Sequence, residues 1–268
     1  MKRLLAAVIL IASACSGGGI RVVVAAGTTL VDSGLIDALA AEYEATRPGV
    51  ELSVVGEATA QVLALARNGA ADVTITHAPD LEAAFEAEGL AKATRVVFSS
   101  RFILAGPAAQ AAPFSGLSAA EAFQRIATEG IVFVSRADGS GTHLVEQDIW
   151  AGLGLDPHGA PWYLETGQGM GLTLQVASER GGFTLSELGT FLAALPNLSL
   201  VDVGLSVDGL RNPYKAMAVS GSPVEAEAVA FVEWLASPEG RAAVERIDDA
   251  LYERAVFEPV QEQPMETG

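Results

Sequence analysis

The chain of 268 residues carries 33 acidic against 16 basic side chains, a formal net charge of −17, and is 50% hydrophobic. That length holds one large or two modest domains, and the acidic balance excludes a nucleic-acid binder, because phosphate backbones are held by dense Lys/Arg surfaces. One cysteine excludes an intramolecular disulfide framework and multi-cysteine metal sites, and His77, His143 and His158 show no HxxxH spacing, so neither metal nor cofactor is expected.

The first residues read as an address. Lys2 and Arg3 form a short basic region, 4–12 an apolar stretch too short to span a bilayer, and Ala12-Ser13-Ala14 a small-residue cleavage site, so 1–14 is read as a signal peptide. Cys15 follows directly. Ala12-Ser13-Ala14-Cys15 is similar to a bacterial lipobox, which would make Cys15 a lipidated first residue ahead of the tether Ser16-Gly17-Gly18-Gly19; ordinary cleavage after Ala14, leaving a free thiol, is the other reading. Both place the chain in the periplasm or at the cell surface. Past residue 14 no apolar run approaches the roughly 20 residues of a membrane helix, so a lipid on Cys15 would be the one link to the membrane. Without Lys2 and Arg3 the charge is about −19, and an anionic ligand must be won locally.

In chain order the apolar periodicity alternates between strand and helix. A strand is expected at 21–26, then a helix capped by Ser33 with Leu35, Ile36, Leu39, Ala40 and Tyr43 on its apolar face. Strand 50–55, helix 59–67, strand 72–76 and helix 80–88 follow, each helix closed by a glycine turn. A long β-rich stretch, 95–105, ends at Gly106-Pro107, and 108–117 reads as a crossing to a second unit. That unit comprises helix 118–128, strand 131–135, a helix from Thr142, strand 162–165, helix 168–180 and two further strand–helix pieces up to 208. Residues 214–219 are expected to return as a strand to the first unit, beside helices 225–235 and 238–247. There is no sequence repeat. The expected fold is α/β in two lobes, 20–106 with 212–268 and 107–211, each a mainly parallel sheet flanked by helices.

Three loops put glycines and small hydroxyl residues between a strand and a helix N-terminus, where free backbone N–H groups and the helix dipole favour an anion. They are Gly27-Thr28-Thr29 through Ser33-Gly34, Ser135-Arg136-Ala137-Asp138-Gly139-Ser140-Gly141-Thr142, and Gly167-Gln168-Gly169-Met170-Gly171. The second adds Arg136, a fixed cation with five donors, whose alternative is an ion pair with Asp138. All three lie at strand carboxyl ends, where parallel sheets bind ligands.

These runs resemble a family. Thr28-Thr29 with Asp32-Ser33-Gly34-Leu35, Leu65-Ala66-Arg67 with Ala71-Asp72-Val73, and His77-Ala78-Pro79 are similar to the tungstate-binding proteins of bacterial ABC importers. Ser135-Arg136 with Ser140-Gly141-Thr142-His143, Trp162-Tyr163-Leu164-Glu165-Thr166-Gly167-Gln168-Gly169-Met170-Gly171, and Asn212-Pro213-Tyr214 continue the likeness in the family's order, over roughly 20–245. The resemblance implies a two-lobed periplasmic-binding-protein fold of type II that closes on its ligand in the interlobe cleft, and a monomer that delivers the ligand to a permease and its ATPase. It implies Thr28, Thr29, Thr59, Arg136 and Thr142 around a tungstate or molybdate oxyanion; Ser140, Gly141, Gln168 and Gly169 from the loops complete the candidate set. Three departures stand out: Gly56-Glu57-Ala58-Thr59-Ala60 replaces the family's Gly-Thr-Gly, Ala137 replaces a glycine common after the arginine, and Leu30-Val31 replace more polar residues after the paired hydroxyls.

Other readings stay open. Asp32 or Asp138 in the pocket would favour monohydrogen phosphate, which presents a proton that a carboxylate can accept, whereas tungstate, molybdate and sulfate need donors alone. A surface oxyanion sensor shares the fold and the address. An enzyme is not expected: Ser140, His143 and Asp148 are near one another in sequence, but no GxSxG elbow, Walker loop or HExxH is present. His143 is read as packing at its helix start, His77 and His158 as loop residues, and Trp150, Trp162 and Trp234 as core.

Overall fold

The computed structural model describes residues 19–206, 210–252 and 254–260; the expected leader, Cys15 and residues 16–18 lie outside them. The first β-branched run forms β1 (Ile20–Gly27), which leads directly into a short helix α1 (Thr28–Asp32) and then α2 (Leu35–Thr46). The loop expected at Thr28 is therefore helical. Gly34 takes the N-cap position at φ 81°, where a glycine meets no Cβ penalty, while the expected Ser33, one residue earlier, accepts from the Leu35 N–H at 3.3 Å and donates to the Leu30 carbonyl. The predicted apolar face of α2 is buried as expected.

β2 (Val50–Glu57), α3 (Thr59–Arg67), β3 (Val73–Thr76) and α4 (Pro79–Ala87) keep the anticipated rhythm. β4 (Ala91–Pro107) is longer than predicted, and α5 (Ala108–Ala111) with a 3-10 turn makes the crossing. α6 (Ala119–Glu129) starts on a Ser118–Glu121 capping box, followed by β5 (Phe133–Ser135), α7 (Gly141–Gly152), β6 (Tyr163–Glu165) and α8 (Met170–Arg180). β7 (Thr184–Glu187), α9 (Leu188–Ala194) and β8 (Leu200–Asp202) lead to the returning strand β9 (Arg211–Val219), then α10 (Glu225–Ala236), α11 (Pro238–Leu251) and β10 (Glu258–Pro259). Among the described residues no helix is long and apolar enough to cross a membrane.

The first sheet runs β2-β1-β3-β9-β4-β10. β1 pairs in parallel with β2 and β3, and β9 enters antiparallel between β3 and β4. Its central strands are covered on both faces: Val22, Val24 and Ala26 pack with α2, α10 and α11, while Ala25 and Met217 pack with α3 and α4. β4 then leaves this ladder, its end pairing antiparallel with β7 and β8, and β5 pairs in parallel with β6. The sheets are thus mixed rather than mainly parallel, because β4 and β9 are crossing strands whose direction is set by where the chain must go next. Gly106 is required near the crossing, since a Cβ there would lie 2.4 Å from the Phe183 ring. The second core gathers Phe123, Phe133, Trp150, Tyr163 and Phe183.

α7 is fastened to the second sheet by the buried Glu146, whose Oε1 accepts from Tyr163 Oη at 2.6 Å and Trp150 Nε1 at 3.3 Å. Burial pushes the Glu146 carboxyl up to about 7, outweighing the lowering effect of these hydrogen bonds. Between pH 4.5 and about 7 the folded protein therefore keeps a proton that the unfolded chain has released. The contribution is full below pH 4.5 and declines by about 3 kcal/mol as pH rises through about 7. Glu146→Gln should remove that decline, so thermal midpoints of the two proteins at pH 5 and pH 8 should diverge in favour of the variant at the higher pH.

Candidate functional site

The carboxyl ends of β1, β2, β5 and β6 deliver the candidate residues to one region. The parallel register places Gly27 opposite Glu57, so Thr28 at the start of α1 lies beside Ala58 and Thr59 at the start of α3. Arg136 leaves β5 and reaches across to this corner, its Nη2 donating to Thr28 Oγ1 at 2.9 Å. Gln168 N–H donates to the Arg136 carbonyl at 3.3 Å, which brings the β6–α8 loop against the same segment.

Arg136 is 1% exposed and, among the described residues, the one buried side chain of permanent positive charge. Its Nε and Nη2 donate to Asp138 Oδ2 at 3.1 and 2.5 Å, while Asp138 Oδ1 accepts from Ser140 N–H. The expected ion pair and the expected ligand role are therefore compatible: Asp138 and Thr28 hold the guanidinium, and Nη1 stays buried with no partner. Thr59 Oγ1 and Thr142 Oγ1 are likewise buried and unpartnered. Leaving a buried donor unpaired costs about 1–3 kcal/mol, and these three stand on the neighbouring segments that follow β2 and β5. Thr28 accepts from Arg136 and Ser140 Oγ accepts from His143 N–H, so both hydroxyl protons remain to be given. α3 begins on Ala58 without a side-chain cap, whereas α7 is capped by Ser140 at the His143 N–H, ahead of which lie Gly141 and Thr142.

Two expected residues take other places. The Thr29 hydroxyl donates to Glu187 Oε1 at 2.7 Å, so Thr29 stands behind the donor set rather than in it. The Gln168 side chain is exposed, and its contribution is through the backbone; Gly169 is the N-cap of α8. Of the carboxylates, Asp32 is exposed at the end of α1 and Asp138 is engaged at both oxygens. His143 Nδ1 accepts from Gly139 N–H, and burial, ahead of the opposing pull of Asp138, lowers its pKa.

The sequence reading missed a buried polar cluster next to this set. Glu187, at the end of β7, accepts from Thr29 and from Tyr214 Oη, and His77 Nε2 stands 3.2 Å from its Oε1. Burial, then the Glu187 carboxylate, raises the Tyr214 phenol well above its ordinary range, so Tyr214 remains a donor. His77 lies in the turn between β3 and α4, as expected for a loop residue, and is buried there. Its sequence signal lay in the His77-Ala78-Pro79 and Asn212-Pro213-Tyr214 runs, whereas Glu187 had none. Among the described residues no group of three or more His, Cys, Asp or Glu is placed to hold a metal ion.

Residues 12–239 match the family described as PBP superfamily domain. The chain belongs to the PBP superfamily. Within it, this PBP chain is 37% identical over 230 residues to a Haloferax volcanii protein named as an ABC transporter anion-binding protein, covering 81% of this chain and 66% of that protein's length. It is 32% identical over 248 residues to the tungstate-binding protein TupA of Peptoclostridium acidaminophilum, covering 89% and 85% of the two chains. Among solved structures, the tungstate ABC transporter of Geobacter sulfurreducens superposes with a TM-score of 0.76 at 35% identity, over 84% of this chain and 98% of that one. TupA of Desulfovibrio alaskensis gives 0.74 at 32% identity, over 91% and 100%. The motif resemblance and the two-lobed fold it implied are borne out.

The loop of this PBP carries one local strain. Ala137 sits at φ 49°, the one non-glycine with positive φ among the described residues. A left-handed alanine costs about 1–2 kcal/mol, so Ala137→Gly should stabilise the protein by about 1 kcal/mol in denaturant unfolding.

Proposed function

We propose that the protein is the substrate-binding component of an ABC importer that captures a tetrahedral oxyanion, tungstate in the first place and molybdate beside it, and hands it to a permease. The observation that carries this reading is the set of buried, unpartnered donors, Arg136 Nη1, Thr59 Oγ1 and Thr142 Oγ1, around one buried cation. Relatives named for anion and tungstate binding support it. The candidate acceptors do not compete: Asp138 is spent on Arg136 and on the start of α7, which suits a fully deprotonated dianion better than monohydrogen phosphate.

In this reading the lobes are 20–106 with 212–268 and 107–211. Thr28 and Thr59 belong to the first lobe and Arg136, Ser140, Gly141 and Thr142 to the second, so closure assembles the donor set and excludes water. Exclusion of water strengthens each charge-assisted bond. The work is capture and release with no covalent step, and the protein is not an enzyme. Residues 1–14 act as an export signal, Cys15 as a lipid attachment point, and the mature protein works as a monomer in the periplasm or at the cell surface, served by its permease and ATPase.

The test is calorimetric titration with tungstate, molybdate, sulfate and phosphate in a phosphate-free buffer. Tungstate should bind tightly and sulfate and phosphate weakly, and at a thousand times its Kd tungstate should add roughly 4 kcal/mol of stability in melting. Arg136→Ala should weaken tungstate binding by about 100-fold or more, the scale of a lost charge-assisted hydrogen bond with its buried partner left behind. Binding of phosphate alone, or undiminished affinity in Arg136→Ala, would overturn the assignment.

A further inference from the structure

Behind the donor set the fixed charges do not balance. Arg136 is offset by Asp138, while Glu187, 1% exposed, receives only the neutral hydroxyls of Thr29 and Tyr214 and the imidazole of His77. One arginine therefore faces two buried or half-buried carboxylates before any ligand enters. A dianion arriving in the same region adds two more negative charges, and a water-poor site makes that arrangement costly.

His77 is placed to relieve it. Its ring lies against the first residue of α7, where a Cβ on Gly141 would come within 2.4 Å of Cε1 and 2.6 Å of Nδ1, and against Gly27, where a Cβ would meet Cδ2 at 3.6 Å. It thus touches the backbone of the two residues that precede Thr142 and Thr28. Tyr214 and Phe102 hold the ring from the sheet side, at centroid distances of 5.1 and 6.0 Å. Nε2 stands 3.2 Å from Glu187 Oε1, and Nδ1, on the far side of the ring, is buried with no partner.

Of the elements packed on this ring, β7 contributes Glu187 and β9 Tyr214; Phe102 of β4, Gly27 of β1 and Gly141 of α7 carry no charge. In the next layer are Arg136, Asp138 and Asp32, and on α4 Glu82, which accepts from Thr76 Oγ1 and Ala78 N–H and stands 3.7 Å from Lys215. None of them offsets Glu187.

We propose that His77 is a further positioning residue of the oxyanion site and takes up one proton at Nδ1 when the dianion binds, so that imidazolium, bridged to Glu187 through Nε2–H, supplies the second positive charge. The inference rests on the oxyanion reading above. The proton comes from solvent, a single N–H bond forms, and no other bond changes. Thr29, Tyr214 and His77, all from the first lobe of that reading, meet Glu187 of the second.

The test is titration of the full chain with tungstate at pH 7.5, above the ordinary imidazole range, in HEPES, PIPES and Tris, whose ionisation enthalpies differ. The observed enthalpy should vary with buffer ionisation enthalpy with a slope of about one proton per anion, and the slope should fall near zero in His77→Gln while tungstate still binds. A zero slope in the wild type, or an unchanged slope in His77→Gln, would overturn the proposal. The absence of tungstate binding in the wild type would instead overturn the oxyanion reading beneath it. Should His77→Gln fail to fold, imidazole 15N spectra of the wild-type protein decide. Tungstate should convert His77 from a neutral to a doubly protonated ring, assigned with His143→Gln and His158→Gln, and conversion of His143 or of no ring would refute it.

Discussion

A guanidinium cannot shed its proton, so a buried arginine must be held by partners, and the organisation of this protein follows from how Arg136 is held. Asp138 and Thr28 occupy Nε and Nη2 and leave Nη1 unpaired. For Asp138 to turn back on an arginine two residues earlier, the backbone between them must fold tightly, and Ala137 takes positive φ there, as Gly139 does just after. The same carboxylate receives the Ser140 N–H and so fixes the first turn of α7. One ion pair therefore sets the loop, the helix start and the direction of the free donor.

That corner is useful because other parts of the chain are brought to it. Thr28 and Thr59 come from β1 and β2, whose parallel register aligns their carboxyl ends, while Arg136 comes from β5 in a different sheet. β4 pairs with β9 along its first part and with β7 and β8 at its end, and β5 meets this side through the parallel Phe133–Phe183 bridge just before β7. Glu187 closes the end of β7 and is gripped by groups from α1, β9 and the turn after β3. A polar cluster of this kind is exacting: each member is satisfied only when the strands sit in one arrangement, which gives the crossing region a definite geometry.

Much of this was legible locally. Helix α3 has the predicted bounds, α6 opens on Ser118 as its composition requires, and the return of β9 was expected from the stretch 214–219 beyond the second unit. Three loops of glycine and hydroxyl residues after strands pointed to an anion, and Arg136 marked the strongest of them. Those readings depend on spacing and residue type within a dozen positions, which a sequence states directly. The acidic balance, the absence of a cysteine framework and the leader pattern are equally properties of composition.

What the sequence could not decide is where groups far apart in the chain meet. It offered Thr29 as a donor to ligand, because nothing near Thr29 announces that Glu187, 158 residues away, will take its proton. It placed His77 in a loop without its burial, because burial of that ring depends on Phe102, Gly141, Glu187 and Tyr214 arriving from four other segments. It read the sheets as mainly parallel, since the β-α-β rhythm is local whereas the antiparallel passage of β4 and β9 is set by the crossings between units. Composition and periodicity thus determined the class of protein and the chemistry of its loops. Tertiary structure alone decided which hydroxyls remain free, because a hydrogen bond is satisfied by distance and angle in space and not by separation along the chain.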